Sequence, residues 1–136
     1  IGDKKVYAIK PLTFMNNSGI CIRELIEYFK IDSKDVIVFH DDLDINFGKI
    51  KAKFGGASAG HNGIESIDKF IGKDYSRVRI GIGKPNGKTN VADHVLKDFD
   101  QEEKQELENI TNSIINSLKI LLDKKLELFS STVNNK

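Results

Sequence analysis

A strand, helix, strand pattern compressed into the first forty residues constrains this chain more than any other feature. Val6-Tyr-Ala-Ile-Lys10 reads as a short strand. Asn17 or Ser18 can then cap a helix running to about Lys30, because Ile22, Leu25, Ile26 and Phe29 recur on one helical face. Asp35-Val-Ile-Val-Phe-His40 follows as a continuous apolar run, the mark of a buried strand in a parallel sheet. A βαβ unit of this kind crosses over right-handedly and collects ligands beyond the carboxyl ends of its strands. Asn16 follows the first strand and Asp41 the second, so both are expected at that edge.

Farther along, Lys49, Lys51 and Lys53 alternate with Ile50, Ala52 and Phe54, predicting a strand with one wet, basic face. His61 to Phe70 reads as a helix with Ile64, Ile67 and Phe70 or Ile71 on one side. Arg77-Val-Arg-Ile-Gly-Ile-Gly83 reads as another strand. From about Gln101 to Phe129 the pattern is one long amphipathic helix or two. Leu107, Ile110, Ile114, Leu118, Leu121 and Leu122 form its buried stripe, and Ser130 to Lys136 is expected to fray. No repeat or linker interrupts the chain. The expectation is a single α/β domain over residues 1–136, a mixed twisted sheet flanked by helices.

Composition sets the outer bounds. The 136 residues suffice for one modest core, and no apolar run reaches the ~20 residues that a membrane span needs. One cysteine, Cys21, excludes an internal disulfide and reads as a buried structural thiol. The net charge of +1 conceals a pattern. Residues 46–90 carry 9 basic and 3 acidic side chains, against 6 and 8 over residues 1–45 and 5 and 9 over residues 91–129. A basic middle suits contact with a phosphate backbone, and the plainer alternative is a solvated lysine-rich face.

The chemistry concentrates around Phe54-Gly-Gly-Ala-Ser-Ala-Gly-His-Asn-Gly63, whose glycines suit a loop with unusual dihedrals and close ligand approach. Within it, Gly56-Ala-Ser-Ala-Gly60 fits the G-x-S-x-G elbow, which would make Ser58 a nucleophile with His61 or His94 as its base. The preceding lysine-alternating strand is the wrong kind for an elbow, and a glycine-rich turn with Ser58 capping the helix fits better. His61 and Asn62 are the stronger candidates. At a helix N-terminus, backbone N–H groups favour an anion or oxyanion, and a carboxamide can hold both a carbonyl and an attacking water.

His40-Asp-Asp-Leu-Asp44 could be mistaken for a Mg²⁺ site, but it reads as a charged strand end and no metal is expected. If the strand persists, Asp42 and Asp44 share a face and Asp41 points the other way. Asp41 is the useful carboxylate, because one that accepts from an imidazole N–H orients the ring. Lys51 and Lys53 on one strand, with Arg77 and Arg79 on another, suit phosphate contact.

Five segments in fixed order carry a resemblance to the bacterial peptidyl-tRNA hydrolases: KPLTFMNNSG, VIVFHDDLD, FGKIKAKFGGASAGHNG, RVRIGIGKP and VADHVL. The resemblance implies a cytoplasmic, monomeric enzyme of translation in which a histidine-activated water cleaves the ester joining a peptide to the tRNA 3′ end. It implies no cofactor and no metal. Carried over by motif, Asn16 and Met15 hold the substrate's peptide, Asp41 orients the catalytic histidine, and His61 and Asn62 line the cleft. Asn62 places the water, while Lys53 and Arg79, with Lys51 and Arg77 beside them, hold tRNA phosphate.

Two departures from the family pattern stand out. The family's N-terminal strand and turn, with the catalytic histidine, have no counterpart here, and neither His40 nor His94 occupies that place. The isolated chain is therefore expected to be inactive and to lack an N-terminal strand. The loop also carries Ala57 and Ala59 where the family has glycine, at a cost on the order of 1 kcal/mol each if φ is positive. The alternatives are a non-enzymatic RNA-binding module of the same fold and a serine esterase using Ser58.

Overall fold

The structure is a computed structural model that describes residues 1–10, 17–83 and 100–135. Its regular elements are α1 (Ser18–Phe29), a 3-10 turn (Ser33–Asp35), β1 (Ile37–Asp42), β2 (Ile50–Phe54), α2 (Asn62–Ile71) and β3 (Ser76–Gly81). The helices α3 (Gln101–Asn116), α4 (Leu118–Leu122) and α5 (Leu126–Asn134) follow. The α/β class read from the sequence is what forms. The strands make one sheet in the order β1-β3-β2. Ser76 N–H donates to Val36 O and Ile82 N–H to Asp42 O, so β1 and β3 run parallel. Gly55 N–H donates to Tyr75 O and Gly81 N–H to Lys49 O, so β2 runs antiparallel to β3. The sheet is mixed.

Packing divides the described residues into two compact units. Residues 1–38 and 53–77 form one, and residues 39–52 and 78–136 form the other. In the first, α1 packs against α2 over a core of Ile64, Ile67 and Tyr75, with Ile22, Val36, Val38 and Ile71 against it. Gly19 makes the crossing close. Its N–H donates to Ser66 Oγ at 3.0 Å, and a Cβ there would overlap the Ser66 carbonyl and the Phe70 ring. Cys21 on α1 is half-buried and free. The predicted strand at Val6–Lys10 does not form. Val6, Tyr7 and Ile9 stay exposed and belong to no ladder, and Tyr7 instead stacks on Phe29 with centroids 4.1 Å apart. Without a neighbouring strand, an apolar alternation has no ladder to join.

In the second unit, Ile45, Ile50, Val78, Leu121, Phe129 and Val133 are buried. Helix α3 begins with a capping box, Asp100 Oδ1 accepting from Glu103 N–H while Glu103 Oε1 accepts from Asp100 N–H. Of the predicted stripe, only Leu121 is fully buried, because the chain breaks at Ser117 and again before α5 and so re-aims its faces. The expected fraying after Ser130 is also corrected. Helix α5 continues to Asn134, and Ser130 and Asn134 bond the outer backbone edge of β2. The run at 35–40 becomes a strand as read, but among the described residues β1 has a strand on one side alone, and Phe39 is 44% exposed. No helix among the described residues is long and apolar enough to cross a membrane.

Candidate active site

The loop between β2 and α2 is shaped by its glycines. Gly55, Gly56 and Gly60 take φ of 70°, 103° and 80°, conformations that side chains resist. Ala59 sits among them at φ 50°, whereas Ala57 is not in the left-handed region, so the strain anticipated for two alanines falls on one. The turn closes as His61 N–H donates to Ser58 O at 3.0 Å.

His61 then does something the sequence reading gave to Ser58: it caps α2. Its Nδ1 accepts from Ile64 N–H at 3.2 Å, satisfying a donor of the first helical turn. The acceptor role leaves the ring proton of the neutral imidazole on Nε2. Asn62, the first helical residue, is exposed. Ser58 Oγ donates to Glu65 Oε1 at 3.3 Å, so its hydroxyl is turned to a carboxylate. The Lys53 side chain lies back beside the loop, with Cε and Nζ near Gly56.

Of the candidate residues, Lys53, His61, Asn62 and Arg77 fall in the first unit, and Asp41, Lys51 and Arg79 in the second. Met15, Asn16 and His94 lie outside the described residues. Lys51 and Lys53 are exposed on β2, as the alternation predicts. Asp41 is half-buried near the end of β1, and the His40 ring turns back on the strand, Nδ1 donating to Asp41 O at 2.8 Å. The strand ends at Asp42, so Asp42 and Asp44 share a turn and not a strand face, Asp42 Oδ1 accepting from Asp44 N–H at 2.8 Å. The second Asp42 oxygen lies 4.0 Å from Arg79 Nη1, and the Arg79 side chain is 29% exposed. Among the described residues, no three His, Cys, Asp or Glu side chains gather as a metal would require.

Arg77 corrects the sequence reading. The sequence groups it with the phosphate-binding cations, yet it is only 2% exposed. Its Nη2 bonds Asp68 Oδ1 at 2.8 Å, its Nη1 donates to Ala57 O at 3.0 Å, and its guanidinium lies 4.9 Å from the Tyr75 ring centre. Tyr75 Oη donates to the same Asp68 oxygen at 2.7 Å. Burial, and then the hydrogen bond to Asp68, hold the Tyr75 phenol well above its usual range. The alternation at 76–81 showed that Arg77 and Arg79 share a face. It carried no information on which of them Asp68 would claim.

Comparison with known proteins bears on what this arrangement belongs to. A family model described as peptidyl-tRNA hydrolase matches residues 1–136. The chain belongs to the peptidyl-tRNA hydrolase family. It is 80% identical over its whole length to a peptidyl-tRNA hydrolase of Pelagibacter ubique, of which it covers 73%. It is 54% identical over 82% of its length to one of Aliarcobacter butzleri, of which it covers 61%. Among solved structures, the peptidyl-tRNA hydrolase of Acinetobacter baumannii superposes with a TM-score of 0.81 at 32% identity, over 91% of this chain and 63% of that one. The chain thus spans between about three-fifths and three-quarters of the length of these relatives.

Proposed function

We propose that this chain binds the peptide-bearing 3′ end of tRNA and contributes to hydrolysis of the ester that joins them, with no cofactor. The observation that carries the reading is the junction of the glycine loop with α2. There an exposed carboxamide, Asn62, follows an imidazole whose Nδ1 is fixed as an acceptor. The N-terminus of α2 favours negative charge developing on an ester oxygen. Asn62 can donate to that oxygen and accept from a water, so its role is to place both. His61 keeps Nδ1 for the helix and is given a place in the cleft lining beside Asn62. Asp41 is given the orienting role, accepting from the imidazole of the family's catalytic histidine. Asn16 and Met15 are given the peptide.

Phosphate contact falls to Lys53 and Arg79, with Lys51 alongside. All three offer cationic groups to solvent, unlike Arg77. A single domain over 1–136, a monomeric state and a cytoplasmic setting belong to the same proposal.

The test uses N-acetyl-aminoacyl-tRNA for hydrolysis and a non-hydrolysable 3′-acylamido-adenosine for binding. Both are measured with this chain and with a form extended upstream to include the family's histidine. The expected result is release by the extended form, and binding of the adenosine probe that falls about tenfold or more in Asn62→Ala. Retained tRNA affinity with no release by either form would replace the enzyme with an RNA-binding module.

A further inference from the structure

We propose that Arg77 is a positioning residue for the candidate site. Its buried guanidinium fixes the angle between the glycine loop and α2 and so presents His61 and Asn62. The inference rests on the functional reading above and adds a residue that the reading did not use. A guanidinium at 2% exposure is costly to bury unless its charge and donors are matched. Here the two terminal nitrogens serve opposite sides of one junction. Nη1 holds Ala57 O, four positions before His61 in the loop, and Nη2 holds Asp68, on the helix that His61 caps. Tyr75 Oη takes the same carboxylate oxygen, so Asp68 is clamped from two directions.

The planar fork makes the arrangement specific, because a lysine in its place could reach one acceptor and not both at these angles. From Ala57 the constraint passes through the Ser58 O to His61 N–H bond to the ring, whose Nδ1 is bound to Ile64 N–H. The anchor stands on β3, whose Ser76 N–H donates to Val36 O beside β1, and Tyr75 O, one residue before the strand, accepts from Gly55 N–H at the start of the loop. The junction is held at its root by the Tyr75 carbonyl and at its crest by the Arg77 side chain two residues on.

The experiment compares Arg77→Met, Arg77→Ala, Arg77→Lys and Asp68→Asn, each first checked for folding by amide spectra. Two ligand-free readouts follow: the ¹⁵N shift of His61 Nδ1, and exchange of the loop and Asn62 amides. Two binding readouts follow those: affinity for the 3′-acylamido-adenosine probe, and the salt slope of binding to deacylated tRNA. Arg77→Met is expected to bind the probe about tenfold more weakly, with the tRNA salt slope unchanged. The His61 Nδ1 signature and amide protection should be lost in Arg77→Met. Guanidinium ion, but not methylammonium, should restore part of both in Arg77→Ala. Arg77→Lys should recover less than half of the effect.

If the neutral variants fail to fold, Asp68→Asn, which keeps the shape and weakens the bonds of both Arg77 and Tyr75 to the helix, must show the same His61 change. A folded Arg77→Met with His61 and the probe unaffected overturns the proposal. So does a salt slope reduced by about one, which would make Arg77 a phosphate contact. If the parent chain binds no probe, the functional reading has failed. The His61 and amide readouts then still decide the positioning role.

Discussion

Asn134 takes both backbone groups of Ile50 at once: its Oδ1 accepts from Ile50 N–H at 2.9 Å and its Nδ2 donates to Ile50 O at 2.7 Å. One turn earlier on α5, Ser130 Oγ accepts from Ala52 N–H at 2.8 Å. Four residues of helix rise about 6 Å and two residues of strand about 6.7 Å, so the two side chains meet alternate outward groups of β2 in register. The remaining face of that strand is bonded to β3.

Asn134→Ala should therefore destabilise the fold by about 1–3 kcal/mol, since it strands a donor and an acceptor at a half-buried edge. A urea titration would show a lower midpoint with unchanged slope. Asn134→Asp keeps the acceptor but sets an anion against Ile50 O. Its loss of stability should shrink as pH falls and the acid becomes a donor.

Gly19→Ala is expected to cost about 1–3 kcal/mol, despite alanine being the better helix former. The added methyl meets the Ser66 carbonyl, which the α2 ladder holds in place. Thermal melts of this variant beside Ser66→Ala, which removes only the Gly19 hydrogen bond, separate overlap from bonding. The first should fall further than the second.

The Tyr75 phenol gives a pH dependence whose sign can be worked out. Its folded-state pKa is raised, by burial first and by its bond to Asp68 second. The folded chain therefore keeps a proton that the unfolded chain releases at about pH 10. The stabilisation is complete below that pH and is lost as pH climbs toward the higher folded value. Tyr75→Phe should be less stable at neutral pH by about 1 kcal/mol and should show a flatter alkaline limb. A limb as steep as that of the parent chain would assign the pH effect elsewhere.

Ala59→Gly should raise stability by up to about 1 kcal/mol. It relieves a left-handed alanine, less the extra backbone freedom glycine brings to the unfolded chain. The same change at Ala57, which is not left-handed, should lower stability. Paired melts decide between them.

The sequence revealed the elements more readily than their neighbours. The helical spacing of Ile22, Leu25 and Ile26 and the alternation at 49–54 are local signals, and α1 and β2 appear where those signals lie. Val6–Lys10 carries an equally good local signal and forms no strand, because a ladder depends on what lies alongside. The glycines before His61 and Asn62 made legible that these two stand where a loop gives way to a helix. The capping role of His61 was not, since histidine is a rare choice there. Arg77 was legible as a cation and illegible as a buried one, because its partners Asp68 and Ala57 stand nine and twenty residues away.

The side-chain closure of β2 also bears on how this protein behaves in a crowded cell. An open strand is an invitation to any passing chain with a complementary backbone. Ser130 and Asn134 decline that invitation without adding a strand, so weakening them would show first as turbidity in concentrated solution, with the loop at His61 and Asn62 untouched.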